Sequence, residues 1–295
     1  SIAYGLSLLG RLNDDASCTE LARDYAARIT PDAVAADRAL DVVRGSAGAI
    51  LALLAVHRSA ADSRLVDLAV CCGDRLLACE TQTADTGYWD TRSGSLVGMA
   101  HGAAGIGLAL LRLADLTGRD DFRQAGARAV RMVMGQEDPA GGRWPIAYRA
   151  PGSDDAAPGM IAWCHGSPGI ALALGEALDL LGDHAILPPV IAALDATARA
   201  GPHVTDHLCC GTLGRCDALL TVGRRLDLPV FIDAATQMGT GVVSRAAARR
   251  HVRLSSAGAE YAVFDPGFFR GLSGVGYQLL RLAEPATLPS ILAFE

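Results

Sequence analysis

Five times in this chain a Gly-x-x-Gly step stands immediately before an apolar run: Gly45–Gly48, Gly102–Gly105, Gly166–Gly169, Gly211–Gly214 and Gly271–Gly274. A leucine follows each second glycine by five residues: Leu53, Leu110, Leu174, Leu219 and Leu279. Set in the same register, the opening residues put Leu6 in that slot, so the first segment reads as a sixth copy without its glycines. Successive steps lie 45 to 64 residues apart. Each interval has room for an inner helix, a connection, a second amphipathic helix and a loop. Segments 63–79, 120–135 and 187–200 supply such second helices, with apolar residues mostly at three- and four-residue steps. Helix pairs that recur in this way stack as a solenoid or close into a toroid. Glycine at each turn would permit a positive φ and let the loop backbone pack closely where the helices converge.

Composition agrees with an all-α fold. Of 295 residues, 51% are hydrophobic but only 5% aromatic, and Ala and Leu dominate over Val and Ile, which favours helix over sheet. The net charge of -6 comes without a long basic run, so no nucleic-acid partner is expected, since phosphate binding needs clustered cations. The run 48–56 is too short to span a bilayer, which takes about 20 residues, and His57 and Arg58 close it. With no membrane span and no signal peptide, the chain is expected to be cytoplasmic. There its eight cysteines are expected as thiols or metal ligands rather than disulfides.

The residues just before each glycine step carry the chemistry. In order they are Val43-Arg44, Ala100-His101, Cys164-His165, Cys209-Cys210 and Phe269-Arg270. In a closed α/α toroid these loops would share one rim and face a common axis. Two histidines and three cysteines would then converge from three consecutive repeats, and imidazole and thiolate are ligands of tetrahedral Zn²⁺. The adjacent pair would give two sulfurs to one ion and the preceding repeat a third. A second Cys-Cys-Gly, at Cys71–Gly73, serves as a control. It lies within a second helix and has no following glycine step, so Cys71, Cys72 and Cys79 read as buried or half-buried small residues. Cys18 and Cys216 read the same way. His203 and His207 have i,i+4 spacing, but Pro202 precedes them, and structural or solvent roles are expected. Trp163 is expected beside the rim. Trp89 and Trp144 read as core, with a peptide groove as the other possibility. Segment 137–159, rich in Pro, Gly and Asp, is longer than an ordinary connection and is expected as a mobile lid or a disordered loop.

The stretches "AHGAAGIGLALLRL", "WCHGSPGIALAL", "DHLCCGTLGR" and "FDPGFFRGLSGVGYQLLRLAEPATLPSILAFE" resemble the LanC-like lanthipeptide cyclases. More specifically, they resemble the C-terminal cyclase domain of class II (LanM-type) lanthipeptide synthetases. "LDVVRGSAGAI" fits the same family, and the likeness runs from residue 1 to residue 295. The resemblance implies a double α-barrel of seven inner and seven outer helices, a LanC-like α/α toroid with zinc at one end of its axis. Six repeats are visible, so the chain is expected to lack the first helix pair and the dehydratase domain normally fused upstream. By motif, Cys164 and Cys209 match two zinc ligands. Cys210 falls where many members carry a histidine ligand and a subset a cysteine. His101 matches a histidine with an acid/base role, and Asp41 an aspartate near it. Arg44 departs from the small polar residue expected before Gly45. His165 is expected behind the ligands or facing substrate.

The implied reaction joins a cysteine thiol of a dehydrated precursor peptide to the β-carbon of dehydroalanine or dehydrobutyrine, closing a thioether ring. A free thiol has a pKa near ~8.5 and is mostly protonated at neutral pH; Zn²⁺ would deprotonate it, and three protein ligands would leave the fourth position for it. His101 would protonate the resulting enolate, with Asp41 orienting its ring. Three other readings compete. A prenyltransferase-type α/α barrel also alkylates a zinc-activated thiol, though with a carboxylate in its metal set. A six-hairpin glycosidase would need paired carboxylates on the rim. A detached fragment could bind peptide without turning it over.

Overall fold

The computed structural model describes residues 2–150, 159–254 and 264–295. Among them are twelve α-helices: α1 (Ile2–Asn13), α2 (Ala16–Ala26), α3 (Pro31–Ala35), α4 (Ser46–Ser59), α5 (Ser63–Ala78), α6 (Ala103–Thr117), α7 (Asp120–Gly135), α8 (Ser167–Leu181), α9 (Leu187–Ala200), α10 (Thr212–Arg225), α11 (Pro229–Arg249) and α12 (Leu272–Ala283). Every glycine step sits where the register predicts. Gly45, Gly102, Gly166, Gly211 and Gly271 are the N-caps of α4, α6, α8, α10 and α12. Leu6 falls on α1, the expected sixth copy.

The reason for those glycines differs in part from the expectation. Only Gly166 has a positive φ, at 103°; Gly45, Gly102, Gly211 and Gly271 are extended. The constraint is closeness. A Cβ on Gly48, Gly169, Gly214 or Gly274 would overlap the carbonyl oxygen six residues earlier: Val42, Trp163, Leu208 or Phe268. Each loop thus curls back over the first turn of its own helix, and any side chain at the second glycine would push it away.

The chain forms two compact units. One comprises Ser1–Leu96, Ala100–Gly135 and Phe294; the other Val97–Met99, Gln136–Ala293 and Glu295. In the first, α1 pairs with α2, α4 with α5 and α6 with α7, while α4 packs against both α1 and α6. In the second, α8 pairs with α9 and α10 with α11, while α10 packs against α8 and α12. Of the helices that follow a glycine step, α6, α8 and α10 are buried over most of their surface, whereas α12 buries only a few residues and α5 and α7 bury one stripe. For α6 and α8 that division follows the sequence, which is apolar nearly all round there, whereas α5 and α7 are amphipathic.

A small antiparallel sheet was not anticipated: β1 (Glu80–Thr83), β2 (Thr86–Thr91) and β3 (Gly94–Ser95), in that order. It anchors to α7 through Glu80, which accepts from Arg128 Nε and Nη2 at 2.8 and 2.7 Å. Trp89 of β2, paired with Glu80, is buried and its indole donates to the Leu76 carbonyl at 2.8 Å. Trp144 is buried too. Both are core residues. Of the segment expected as a lid, 151–158 lie outside the described residues. The part before them is tied down: Gln136 and Arg149 share three hydrogen bonds of 3.0, 2.7 and 3.3 Å, and the Asp138 amide donates to the Arg143 carbonyl at 2.7 Å. No helix among the described residues is long and apolar enough to cross a membrane.

Candidate metal centre

Within the second unit, the loop before α8 and the loop before α10 bring three sulfurs together. Cys164 Sγ lies 3.5 Å from Cys210 Sγ, and Cys210 Sγ 3.4 Å from Cys209 Sγ. All three ligand atoms fall within 4.8 Å of one another. Bonds of about 2.3 Å to a tetrahedral Zn²⁺ imply sulfur–sulfur edges of about 3.8 Å, so the cluster already has nearly the spacing that a shared ion requires. None of the three is in a disulfide. They form the one cluster of metal-ligand type among the described residues, and no acidic or histidine side chain belongs to it. The control cysteines behave differently. Cys72 and Cys216 are fully buried, and burial raises both thiols, Cys72 to about 12.

The three thiols share charge unequally. Hydrogen bonds from Cys164 and Cys209 hold Cys210 far below the ordinary thiol range, against the push of burial. Cys164 is raised, by its bonds with Cys209 and Cys210 and then by burial. A cation bound among three sulfurs this close would take the place of their shared protons.

Three further features hold the adjacent pair in place. The Cys209 amide donates to the Phe269 carbonyl at 2.8 Å. Trp163, next to Cys164, stacks on Phe269 with ring centroids 5.2 Å apart, and its indole donates to the Leu292 carbonyl at 3.1 Å. His207, buried, accepts the Cys210 amide on Nδ1 at 3.3 Å. Burial holds His207 below the usual histidine range, which keeps that nitrogen an acceptor. Residues 203–207 are not helical, so the i,i+4 spacing of His203 and His207 builds no shared face. His203 Nδ1 pairs instead with Thr205 Oγ1 at 3.0 Å.

Sequence reasoning overlooked Asp206. It is buried and accepts from Arg245 Nη2 at 2.9 Å, Arg253 Nη2 at 2.8 Å and the Arg253 amide at 3.0 Å. Burial pushes its pKa up, but the Arg253 and Arg245 guanidinium groups outweigh that and hold it below the usual carboxylate range. Asp206 thereby ties the segment that carries the cysteine pair to the end of α11 and the chain beyond it.

The first unit brings His101 and Asp41 together. His101 Nδ1 lies 2.8 Å from Asp41 Oδ2. Asp41 is buried, His101 partly exposed. The other carboxylate oxygen of Asp41 accepts the Arg44 amide at 2.7 Å, and the Val42 amide reaches the Ala100 carbonyl at 3.1 Å. Asp41 therefore closes its own turn and orients the ring across to the next loop. His165, beside Cys164, is partly exposed and lies outside the three-sulfur cluster.

An all-α chain of repeated helical hairpins, with glycine-stepped loops that gather three thiols, is the class defined by fold and site. A family model described as "Lanthionine synthetase C-like protein" matches residues 1–293, and the chain belongs to that family. Among solved structures it is similar to one titled "Nisin cyclase", at 19% identity and a TM-score of 0.77, covering 99% of this chain and 78% of that one. At that identity the likeness speaks for the fold, the α/α toroid class expected from the sequence.

Proposed function

We propose that this chain is a zinc-dependent lanthionine cyclase that closes thioether rings in a dehydrated precursor peptide. The observation that carries the reading is the Cys164–Cys209–Cys210 cluster, with its sulfurs near zinc-site spacing. Family membership supports the reaction type. The sequence resemblance supports the finer reading of a class II cyclase domain working in the cytoplasm.

Zn²⁺ bound there would supply one thing: it would favour the thiolate of a substrate cysteine at neutral pH. Cys164, Cys209 and Cys210 would hold it and leave one tetrahedral position for the substrate sulfur. As the new C–S bond forms at the β-carbon, the π electrons move toward Cα and the adjoining carbonyl. By the sequence resemblance, His101 would be the acid that returns a proton to Cα, with Asp41 Oδ2, 2.8 Å from its Nδ1, orienting the ring. The Arg44 amide in turn holds Asp41. A Cys₃ set donates more charge to the metal than one containing a neutral imidazole, so the bound substrate sulfur should be a stronger nucleophile.

The test is ring formation on a chemically dehydrated precursor, followed by mass spectrometry after alkylation of free thiols. Wild type should close rings only with metal bound. Cys209→Ala should lose zinc and ring closure together. If Cys209→Ala keeps both, Cys209 is no ligand and the reading fails.

A further inference from the structure

The residue before each glycine step is where this fold puts its chemistry: His101, His165 and Cys210 occupy that position in three repeats. Arg270 occupies it in the last, immediately before Gly271, the N-cap of α12. Its loop is tied to the cysteine loops on both sides. Phe269, its chain neighbour, accepts the Cys209 amide at 2.8 Å and stacks on Trp163, the chain neighbour of Cys164. The turn before it is closed by two hydrogen bonds, the Gly267 amide donating to Asp265 Oδ1 at 2.7 Å and the Leu272 amide to the Asp265 carbonyl at 2.7 Å.

Arg270 is exposed and follows directly on Phe269, whose carbonyl holds the Cys209 amide. Four other arginines of this unit are matched by carboxylates, Arg245 and Arg253 by Asp206, Arg281 by Asp217 and Arg225 by Asp179, while Arg215 is held by the carbonyls of Ile161 and Gly201. Among the described residues no carboxylate is paired with Arg270.

We propose that Arg270 is the fixed counter-charge that receives a substrate thiolate at the three-cysteine centre. The inference rests on the metal-centre reading given above and adds a residue to it. A divalent cation on three thiolates leaves a single formal negative charge, and a fourth sulfur, bound as thiolate, doubles it. A cation beside the centre favours the second state over the first. Arg270 therefore governs entry of the substrate sulfur, while the three cysteine sulfurs govern retention of the metal. It acts through charge as a positioning residue, so lysine should serve in its place and glutamine should not.

The experiment uses the full chain loaded with Co²⁺ in place of zinc, so that sulfur binding is read from the cobalt absorption bands during titration with N-acetylcysteine. Metal content and thermal midpoint are measured on the same samples. Wild type, Arg270→Lys and Arg270→Gln should hold equal cobalt and melt alike. Arg270→Gln should bind the thiol on the order of tenfold more weakly. It should also lose most of the salt dependence seen in wild type, and Arg270→Lys should restore both. Equal thiol affinity in wild type and Arg270→Gln, with cobalt bound in both, overturns the role of Arg270 and leaves the metal centre standing. Loss of cobalt from Arg270→Gln also overturns it, because the residue then serves the metal site itself. Failure of wild type to bind cobalt removes the metal-centre reading and this inference with it.

Discussion

Cys209 and Cys210 reach the same partner because a tight loop, held by the Phe269 carbonyl and His207, presents both sulfurs toward Cys164, 46 residues away in sequence. That meeting was legible beforehand, because all three cysteines stand one or two residues before a glycine step and repeats put equivalent positions side by side. The same register separated them from Cys71 and Cys72, which share the local spelling but sit inside α5. The supports were not legible. Asp206 draws on Arg245 and Arg253, 39 and 47 residues further on, and no local pattern links a carboxylate to cations so distant. At this scale the Asp41–His101 pair makes a sharp prediction. His101→Asn should leave bound metal unchanged while slowing ring closure on the order of 100-fold, the usual worth of a positioned acid. Wild-type rates in a single-turnover assay would clear His101 of that duty. Asp41→Asn should impair the same step to a smaller degree, and should also loosen the 41–44 turn, visible as faster hydrogen exchange at the Arg44 amide.

Helix boundaries followed the sequence closely where periodicity was strong. Segments 120–135 and 187–200 are α7 and α9 to the residue, because a clean apolar stripe and a capping glycine or proline delimit each. Short elements escaped. The strands of 80–95 are rich in Thr and Gly and only two to six residues long, too short for a period-two signal to stand out. α11 runs 21 residues with a diffuse apolar face, and its pattern offered little to read. The glycine steps give this scale its prediction. Gly214→Ala should destabilise the second unit by ~1–3 kcal/mol, since the new methyl would have to displace the Leu208 carbonyl. Gly276→Ala, in α12 with nothing within 4 Å of the added carbon, should be neutral or stabilising by up to ~1 kcal/mol. Chemical denaturation of the two variants distinguishes close approach from simple helix propensity. Equal effects would refute the packing explanation.

Across the whole molecule, the sequence carried the all-α class and the order of the repeats, but not the division into two compact units. That division depends on distant pieces, such as Val97–Met99 joining the second unit and Phe294 the first. The second unit also contains a buried ion pair that no motif announced. Arg281 Nη1 meets Asp217 at 3.0 Å, Arg281 Nη2 donates to Thr221 at 2.9 Å, and Ser290 donates to Asp217 at 2.6 Å. Asp217→Ala or Arg281→Ala alone should cost about 3–5 kcal/mol, because each strands a buried charge. The double replacement Asp217→Leu with Arg281→Met should cost much less, as read from thermal melts. The most direct test of the whole account is metal analysis of the purified chain combined with alkylation mapping before and after chelation. One zinc per chain is expected, with Cys164, Cys209 and Cys210 becoming reactive together only when the metal is removed. A metal-free chain that cannot be loaded with zinc, or zinc whose removal exposes other cysteines, would contradict it.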